Sequence, residues 1–285
     1  MKNETNRTPV MIPVKNLRPF EGHPYKVKDD DEMNALIESI QEQGILSPLV
    51  VRPIENTNEY EVISGHRRLQ AAEKAGITEI PALIYALDRD AAAIAVVDSN
   101  LHREHILPSE KAFAYKLKID ALSHQGTSTQ LAWKSETADV IGKKESISGD
   151  TVRRYIRLTH LIPEILEYVD EGKIAFTPAV ELSFLTEQEQ WTLLDQMEIN
   201  DCTPSLSQAC RMKKISQAGE LSMATISEIM CEGKANQKEK LKIPMERIRD
   251  YFPKSYATAD IENAIVKLCE NYYRQRQRSR NDDER

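Results

Sequence analysis

The sequence predicts an α+β chain: a small α/β unit, then an all-helical region, then a small, mainly helical C-terminal module. Three observations predict it. Between about Met11 and Ala86, short apolar runs alternate with helix-period segments, and turn residues separate them. Beyond Ala86 the period is helical almost throughout, with breaks at Pro108, Gly126, Gly142, Pro163, Gly172 and Pro178. From Ile243 a proline break precedes a lone apolar stripe, Ile261, Ile265, Leu268 and Tyr272. At 285 residues the chain has room for about two domains of ordinary size, in two or three units.

Residues up to about Val10 read as a flexible arm, and "MIPVKNLRPF" as a short strand entering a loop. "DEMNALIESIQEQG" places Met33, Leu36, Ile37 and Ile40 at i, i+3, i+4 and i+7, an amphipathic helix closed by Gly44. "ILSPLVVRPI" is a strand for which Pro48 suits the start or an edge. "NEYEVI" alternates, with Tyr60 and Val62 to one face and Glu59 and Glu61 to the other. Ser64 and Gly65 then make a turn and N-cap, and "RRLQAAEKAG" is a helix with Leu69, Ala72 and Ala75 on one face and Gly76 at its end. "EIPALIY" is the last strand of the unit. The expected division is an arm over 1–10, an N-terminal domain over 11–106, a helical domain over 107–235 and a C-terminal module over 236–285.

Arg67 and Arg68 sit in the first turn of that helix, where unpaired N–H groups and the positive end of the macrodipole disfavour a cation by roughly 0.3–1 kcal/mol. A strand, a glycine turn and a helix N-terminus form a phosphate site, so one reading is that both arginines await an anion. The other is that they bend away to pair with nearby acids. A second polar cluster, "DSNLHREHILPSEKA", crowds Asp98, Asn100, His102, Arg103, Glu104 and His105 together, as a solvated helix end or as one wall of a polar site. It offers no metal triad: His102 and His105 lack a third ligand.

"TADVIG" followed by "SGDTVRRYIRL" has the pattern of a helix-turn-helix with a turn about four residues longer than the compact form. Ala138 packs between the helices, Gly142 makes the turn, and Val152, Tyr155, Ile156 and Thr159 form the inner face of the second helix. Arg153, Arg154 and Arg157 then point outward beside Asp150 and Thr151, able to reach phosphates and guanine edges. Lys143, Lys144, Ser148 and Thr151 are the further candidate DNA contacts. The alternative is a solvated basic face on an ordinary helix.

The formal net charge of −7 excludes a uniformly basic coat, so nucleic-acid binding rests on local clusters such as "GKKESISGDTVRRYIR" and the terminal "RQRQRSR". The longest apolar run, "AAAIAVV", is far short of the roughly 18 residues of a membrane span, and the N-terminus has no signal-peptide core, so a cytoplasmic protein with no membrane partner is expected. Cys202, Cys210, Cys231 and Cys269 lack metal spacing and read as reduced thiols.

With "GHRRLQAA", "SNLHRE" and the helix-turn-helix in order, the chain resembles the ParB family of DNA-partition proteins over about Met11 to Leu185. The stretch "RYIRLTHLIPEILEYVDEGKIAFTPAVELSFL" is similar to the divergent branch found on plasmids and integrative elements of Gram-positive bacteria. The resemblance implies an N-terminal domain that binds CTP with Mg²⁺, a helical DNA-binding domain recognising a parS-like inverted repeat in double-stranded DNA, and a C-terminal region forming a homodimer. It implies that Gly65, Arg67 and Arg68, with Ser64 and His66 beside them, cradle phosphates. Asn100 would assist the metal, Arg103 support the nucleotide, and Gly44 to Pro48 line the base pocket. Where the family commonly has Glu after the motif glycine, this chain has His66, and where it commonly has Glu before the metal-site Asn, it has Ser99. Neither supplies a fixed negative charge, so a switch with slow CTP hydrolysis is expected, with His66 the lone candidate catalytic residue. The peptide that often engages a ParA-type ATPase is not evident in "MKNETNRTPVMIPV". Two alternatives stay open: a helix-turn-helix transcriptional or replication regulator whose ParB-like domain is structural, and a kinase-like enzyme on the same fold. A sulfur-reducing relative would need a cysteine near "GHRR", and none precedes Cys202.

Overall fold

The computed structural model describes residues 8–124 except 28, 102 and 104, then 130–232, and in the C-terminal stretch 248–253, 256, 260, 261, 263–269 and 271–273. Contacts divide the chain into two compact units, Met1–Glu232 and Gly233–Arg285.

The first unit opens with β1 (Val10–Pro13), β2 (Leu17–Pro19), α1 (Asp31–Gln43), β3 (Leu49–Pro53), β4 (Tyr60–Ser64), α2 (His66–Lys74), β5 (Glu79–Ile84) and α3 (Arg89–Asp98). The strands form one mixed sheet in the order β1-β5-β3-β4-β2. β4 runs antiparallel to β3 and parallel to β2, so it is an interior strand. Leu49, Val51, Val62, Ile80 and Ala82 cluster with Leu69 and Ala72 of α2, while Ile63 clusters with Ala92, Ala93, Val96 and Val97 of α3. Both faces of β4 are therefore covered. That corrects the alternation reading of Glu61: its side is not solvent, and Glu61 is 5% exposed. Its oxygens are satisfied there, because Arg52 Nε donates to it at 2.6 Å and the Glu21 amide at 3.0 Å.

α1 forms as its pattern predicts. Asp30 caps it by accepting from Met33 N at 2.9 Å, Gly44 ends it at φ +71°, and Met33 and Ile40 pack on Ala71 of α2. Gly76, at φ +74°, follows the last turn of α2.

Eight helices follow: α4 (Pro108–His124), α5 (Gln130–Lys144), α6 (Gly149–Arg157), α7 (Pro163–Asp170), α8 (Phe176–Leu182), α9 (Glu187–Ile199), α10 (Leu206–Gln217) and α11 (Met223–Cys231). α4 joins the two regions. Its Ala114, Tyr115 and Ile119 share one core with Val96 and Val97 of α3 and with Ala138, Ile141 and Val152 of α5 and α6. The expected division near residue 106 thus crosses a continuous core. α4 also carries Lys118, only 3% exposed, whose Nζ lies 2.5 Å from Asp98 and 3.6 Å from Glu145. Leu158, Ile165, Leu182, Leu193, Met212 and Ile226 build a second core beneath α7 to α11.

Two expected breaks are not breaks. Pro178 lies in the first turn of α8, where its missing N–H costs nothing. Gly142 lies inside α5. Gly126 lies outside the described residues. Among the described residues no helix is long and apolar enough to cross a membrane.

Candidate functional site

The site is built at the N-terminus of α2. Gly65 is its N-cap, at φ +107°, and a Cβ there would meet Leu49 Cγ at 3.0 Å and Arg68 Nη2 at 3.2 Å. The turn and N-cap expected at Ser64 and Gly65 form with Gly65 as the cap: Ser64 ends β4, and no side chain caps α2. The first-turn N–H groups are left to other acceptors.

The three residues that follow turn in different directions. Arg67 donates through Nη2 to Asp30 Oδ1 at 3.1 Å and Glu32 Oε2 at 3.3 Å. Arg68 donates through Nη1 to the carbonyls of Ser47 and, at 3.0 Å, Pro48, which ties α2 to the Gly44–Pro48 loop. His66 accepts the Phe20 N–H on Nε2 at 3.3 Å and stacks on His23, with ring centroids 3.7 Å apart. Burial first, then the charges of His23 and Arg103, push its pKa down to about 3. The ring is neutral, with its Nε2 lone pair committed to Phe20.

Asn100 is 4% exposed, and its Nδ2 donates to Val96 O at 2.7 Å and to Ser99 Oγ at 3.1 Å, closing the end of α3. Arg103 lies 5.7 Å over the ring of Tyr25. His102 and Glu104 lie outside the described residues. Arg67 and Arg103 do meet: both line a cleft of about 470 Å³ with Lys26, Asp30, His105 and Lys111 among the other walls. The polar-wall reading of residues 98–105 thus fits Arg103 and His105. Gly65, His66, Arg68 and Asn100 do not line it. Sequence reasoning missed Lys26, Asp30, Glu32 and Lys111. The run Asp29 to Glu32, four carboxylates in a row, was the available signal. Lys111 left no such signal, since it projects from a helix of no clear polarity.

For a triphosphate the residues fit: three cations, Lys26, Arg67 and Arg103, with Lys111 beside them, face one cleft next to an uncapped helix N-terminus. For Mg²⁺ the fit is thinner. Among the described residues no three His, Cys, Asp or Glu side chains could hold a metal, and the amide nitrogen of Asn100 is already engaged.

The helix-turn-helix forms from α5 and α6. Ser148 caps α6 by accepting from Thr151 N at 3.1 Å, and Ser146 takes the left-handed conformation at φ +58°. The turn is residues 145–148, not Gly142. Gly142 serves by being small, because a Cβ on it would sit 2.7 Å from Ile147 O. Ala138 and Val152 are fully buried between the helices, as expected. The outward reading of the three arginines holds for Arg153 alone, which pairs with Asp150 at 2.8 Å and Asp139 at 3.3 Å. Arg154 instead reaches Thr177 Oγ1 at 3.0 Å and lies over Phe176. Arg157 donates to Ser183 Oγ and O and lies 4.0 Å over Phe184. α8 and the turn after it cover that side of α6, which the sequence period of one helix cannot show. Lys143 is exposed, and Lys144 bridges to Asp98 at 2.7 Å.

The His66 value has a measurable consequence. Its folded pKa lies below the unfolded one, so the unfolded chain takes up the proton first. Stability is complete above about pH 6.5 and falls as pH drops toward 3, by about 1–2 kcal/mol between pH 7 and 5. His23, also lowered by burial, adds with the same sign. Urea unfolding across that range is expected to show the slope, reduced in His66→Gln, which keeps an acceptor for the Phe20 amide. Equal slopes in both proteins would contradict the assignment.

Residues 1–101 match the ParB N-terminal domain family. Over 191 residues the chain is 36% identical to the chromosome-partitioning protein Spo0J of Thermus thermophilus, covering 66% of this chain and 65% of that protein, just under two thirds of its length. Over 211 residues it is 35% identical to a nucleoid occlusion protein of Geobacillus thermodenitrificans, covering 73% of this chain and 70% of that one. A crystal structure of C-terminally truncated ParB from Caulobacter crescentus, complexed to the centromeric parS site, aligns at 21% identity with a TM-score of 0.41. That alignment covers 72% of this chain and 98% of the other, and its score is too low to add to the sequence matches.

Proposed function

The chain belongs to the ParB family, and from that premise we propose that it is a sequence-specific DNA-binding partition protein, a dimer switched by CTP. One observation carries the nucleotide part: Lys26, Arg67, Arg103 and Lys111 line a single cleft beside the open N-terminus of α2. Guanidinium groups stay protonated and fork two phosphate oxygens each. Mg²⁺, carried in on the triphosphate, would neutralise part of its charge, with Asn100 the partner that the family resemblance implies. A neutral His66 whose Nε2 is already bonded supports slow hydrolysis, because neither it nor Ser99 provides a carboxylate.

DNA recognition is assigned to α6. Arg153, half-buried in the second turn of α6, is the first contact to test, and Lys143, Lys144, Ser148 and Thr151 flank it. Arg154 and Arg157, braced by α8, hold α6 and would reach DNA only at its margin. Arg153→Ala is expected either to weaken binding to every duplex and lower the salt slope by about 1, or to cost roughly 1–3 kcal/mol at one base position. Unchanged affinity and slope would remove α6 from the interface. Dimerisation is assigned to the second unit, where Leu268 and Tyr272 are 61% and 66% exposed on a helical stretch. A ParA-type ATPase partner rests on the family alone.

One observation favours the regulator reading: Arg67 is occupied by Asp30 and Glu32. Calorimetric titration of the full chain with CTP and Mg²⁺ decides between the two. Saturable binding is expected, and its absence would leave a DNA-binding regulator with a structural N-terminal domain.

A further inference from the structure

Arg67 is the residue best placed for an incoming polyphosphate, and the chain has already given it two carboxylates. We propose that Asp30 and Glu32 are positioning residues that set the anion affinity of the cleft, acting as an internal counter-ion that a polyphosphate must displace from Arg67. The inference rests on the nucleotide reading of the cleft but makes a separate claim about it.

The geometry suits displacement. Asp30 does not need Arg67 for its own position: it caps α1 through Met33 N, and α1 is fixed on α2 by Met33, Ile40 and Ala71. The preceding Asp29 is held along the same helix by Lys74 and by Gln70 Nε2 at 3.4 Å. The Asp30 carboxylate therefore stays in the wall of the cleft whether or not Arg67 is paired. Arg67 can leave it without unfolding α1. Glu32 is 84% exposed at its side chain, so its half of the contact is readily given up to water. A polyphosphate offers several oxygens to the whole guanidinium, whereas the two carboxylates engage only its Nη2. Until one binds, only the fraction of molecules with Arg67 released is competent, and the apparent dissociation constant is raised by that fraction. The neighbouring cation follows the same plan: Lys26 Nζ lies 3.3 Å from Asp170, and its N–H donates to Glu110 at 2.9 Å.

The test uses the full chain and two probes, CTP with Mg²⁺ and inorganic tripolyphosphate, titrated calorimetrically into wild type, Asp30→Asn, Glu32→Gln and the double variant. Asparagine keeps the α1 cap, and Glu32→Gln changes only an exposed side chain should the first variant fold poorly. About threefold tighter binding is expected for each single variant and about tenfold for the double. The gain should shrink at high salt and vanish when Arg67→Ala is added. Unchanged affinity overturns the proposal. Weaker CTP binding by the variants also overturns it, and would mean that the carboxylates serve the nucleotide's metal. If no protein binds CTP but the variants bind tripolyphosphate more tightly, the counter-ion stands and the CTP reading falls.

Discussion

Gly142→Ala is expected to destabilise the first unit by about 1–3 kcal/mol and to weaken operator binding by at least about tenfold. An alanine Cβ at this buried position would lie 2.7 Å from Ile147 O, 2.9 Å from Gly149 N and 3.0 Å from Ser148 C. All three are backbone atoms of the turn and of the first residue of α6, so no rotamer change relieves them. The turn must move away from α5, and α6 moves with it, which tilts Arg153 relative to the groove. Urea unfolding and duplex titration read the two effects together. CTP affinity should be little changed, because the cleft at α2 shares no atom with the strained turn. A Gly142→Ala protein that binds its operator normally would show that the α5–α6 geometry is not what positions the DNA contacts.

Arg67→Ala is expected to weaken CTP binding about 10- to 100-fold while leaving fold stability nearly unaltered. The loss follows from removing a charge-assisted, two-oxygen contact, worth about 1.5–3 kcal/mol where water is partly excluded. Stability changes little because Glu32 is largely exposed and the half-exposed Asp30 keeps its cap bond to Met33 N. Isothermal titration and thermal unfolding check the two halves. Equal CTP affinity in both proteins would place the triphosphate elsewhere in the cleft.

Much of this was legible in the sequence where the cause is local. α1 was legible because its apolar period and its terminal glycine are both properties of consecutive residues. The turn into α2 was legible as a glycine turn at a helix N-terminus, with the cap placed on Ser64 and Gly65 together and found on Gly65 alone. Only the left-handed Gly65, packed on Leu49, explains why Ser64 stays in the strand. What the sequence could not carry depends on covering by distant elements. Glu61 is buried because α3 covers the second face of β4, and Arg154 and Arg157 are drawn aside by Thr177 and Ser183, more than twenty residues away. Lys118 is a charge in the middle of a helix, and only the arrival of Asp98 and Glu145 turns it into a buried ion network. The pairing of Arg67 was foreseen as one of two outcomes, and the acid run beginning at Asp29 was its unread half.

Recovery and sequencing of DNA cross-linked to the protein in cells, for wild type and Arg67→Ala side by side, tests the central claim most directly. A CTP-switched partition protein predicts a sharp summit at one inverted repeat with signal spreading over the flanking DNA, and an Arg67→Ala profile that keeps the summit and loses the spread. Isolated narrow peaks at several promoters, identical in the two proteins, would contradict it.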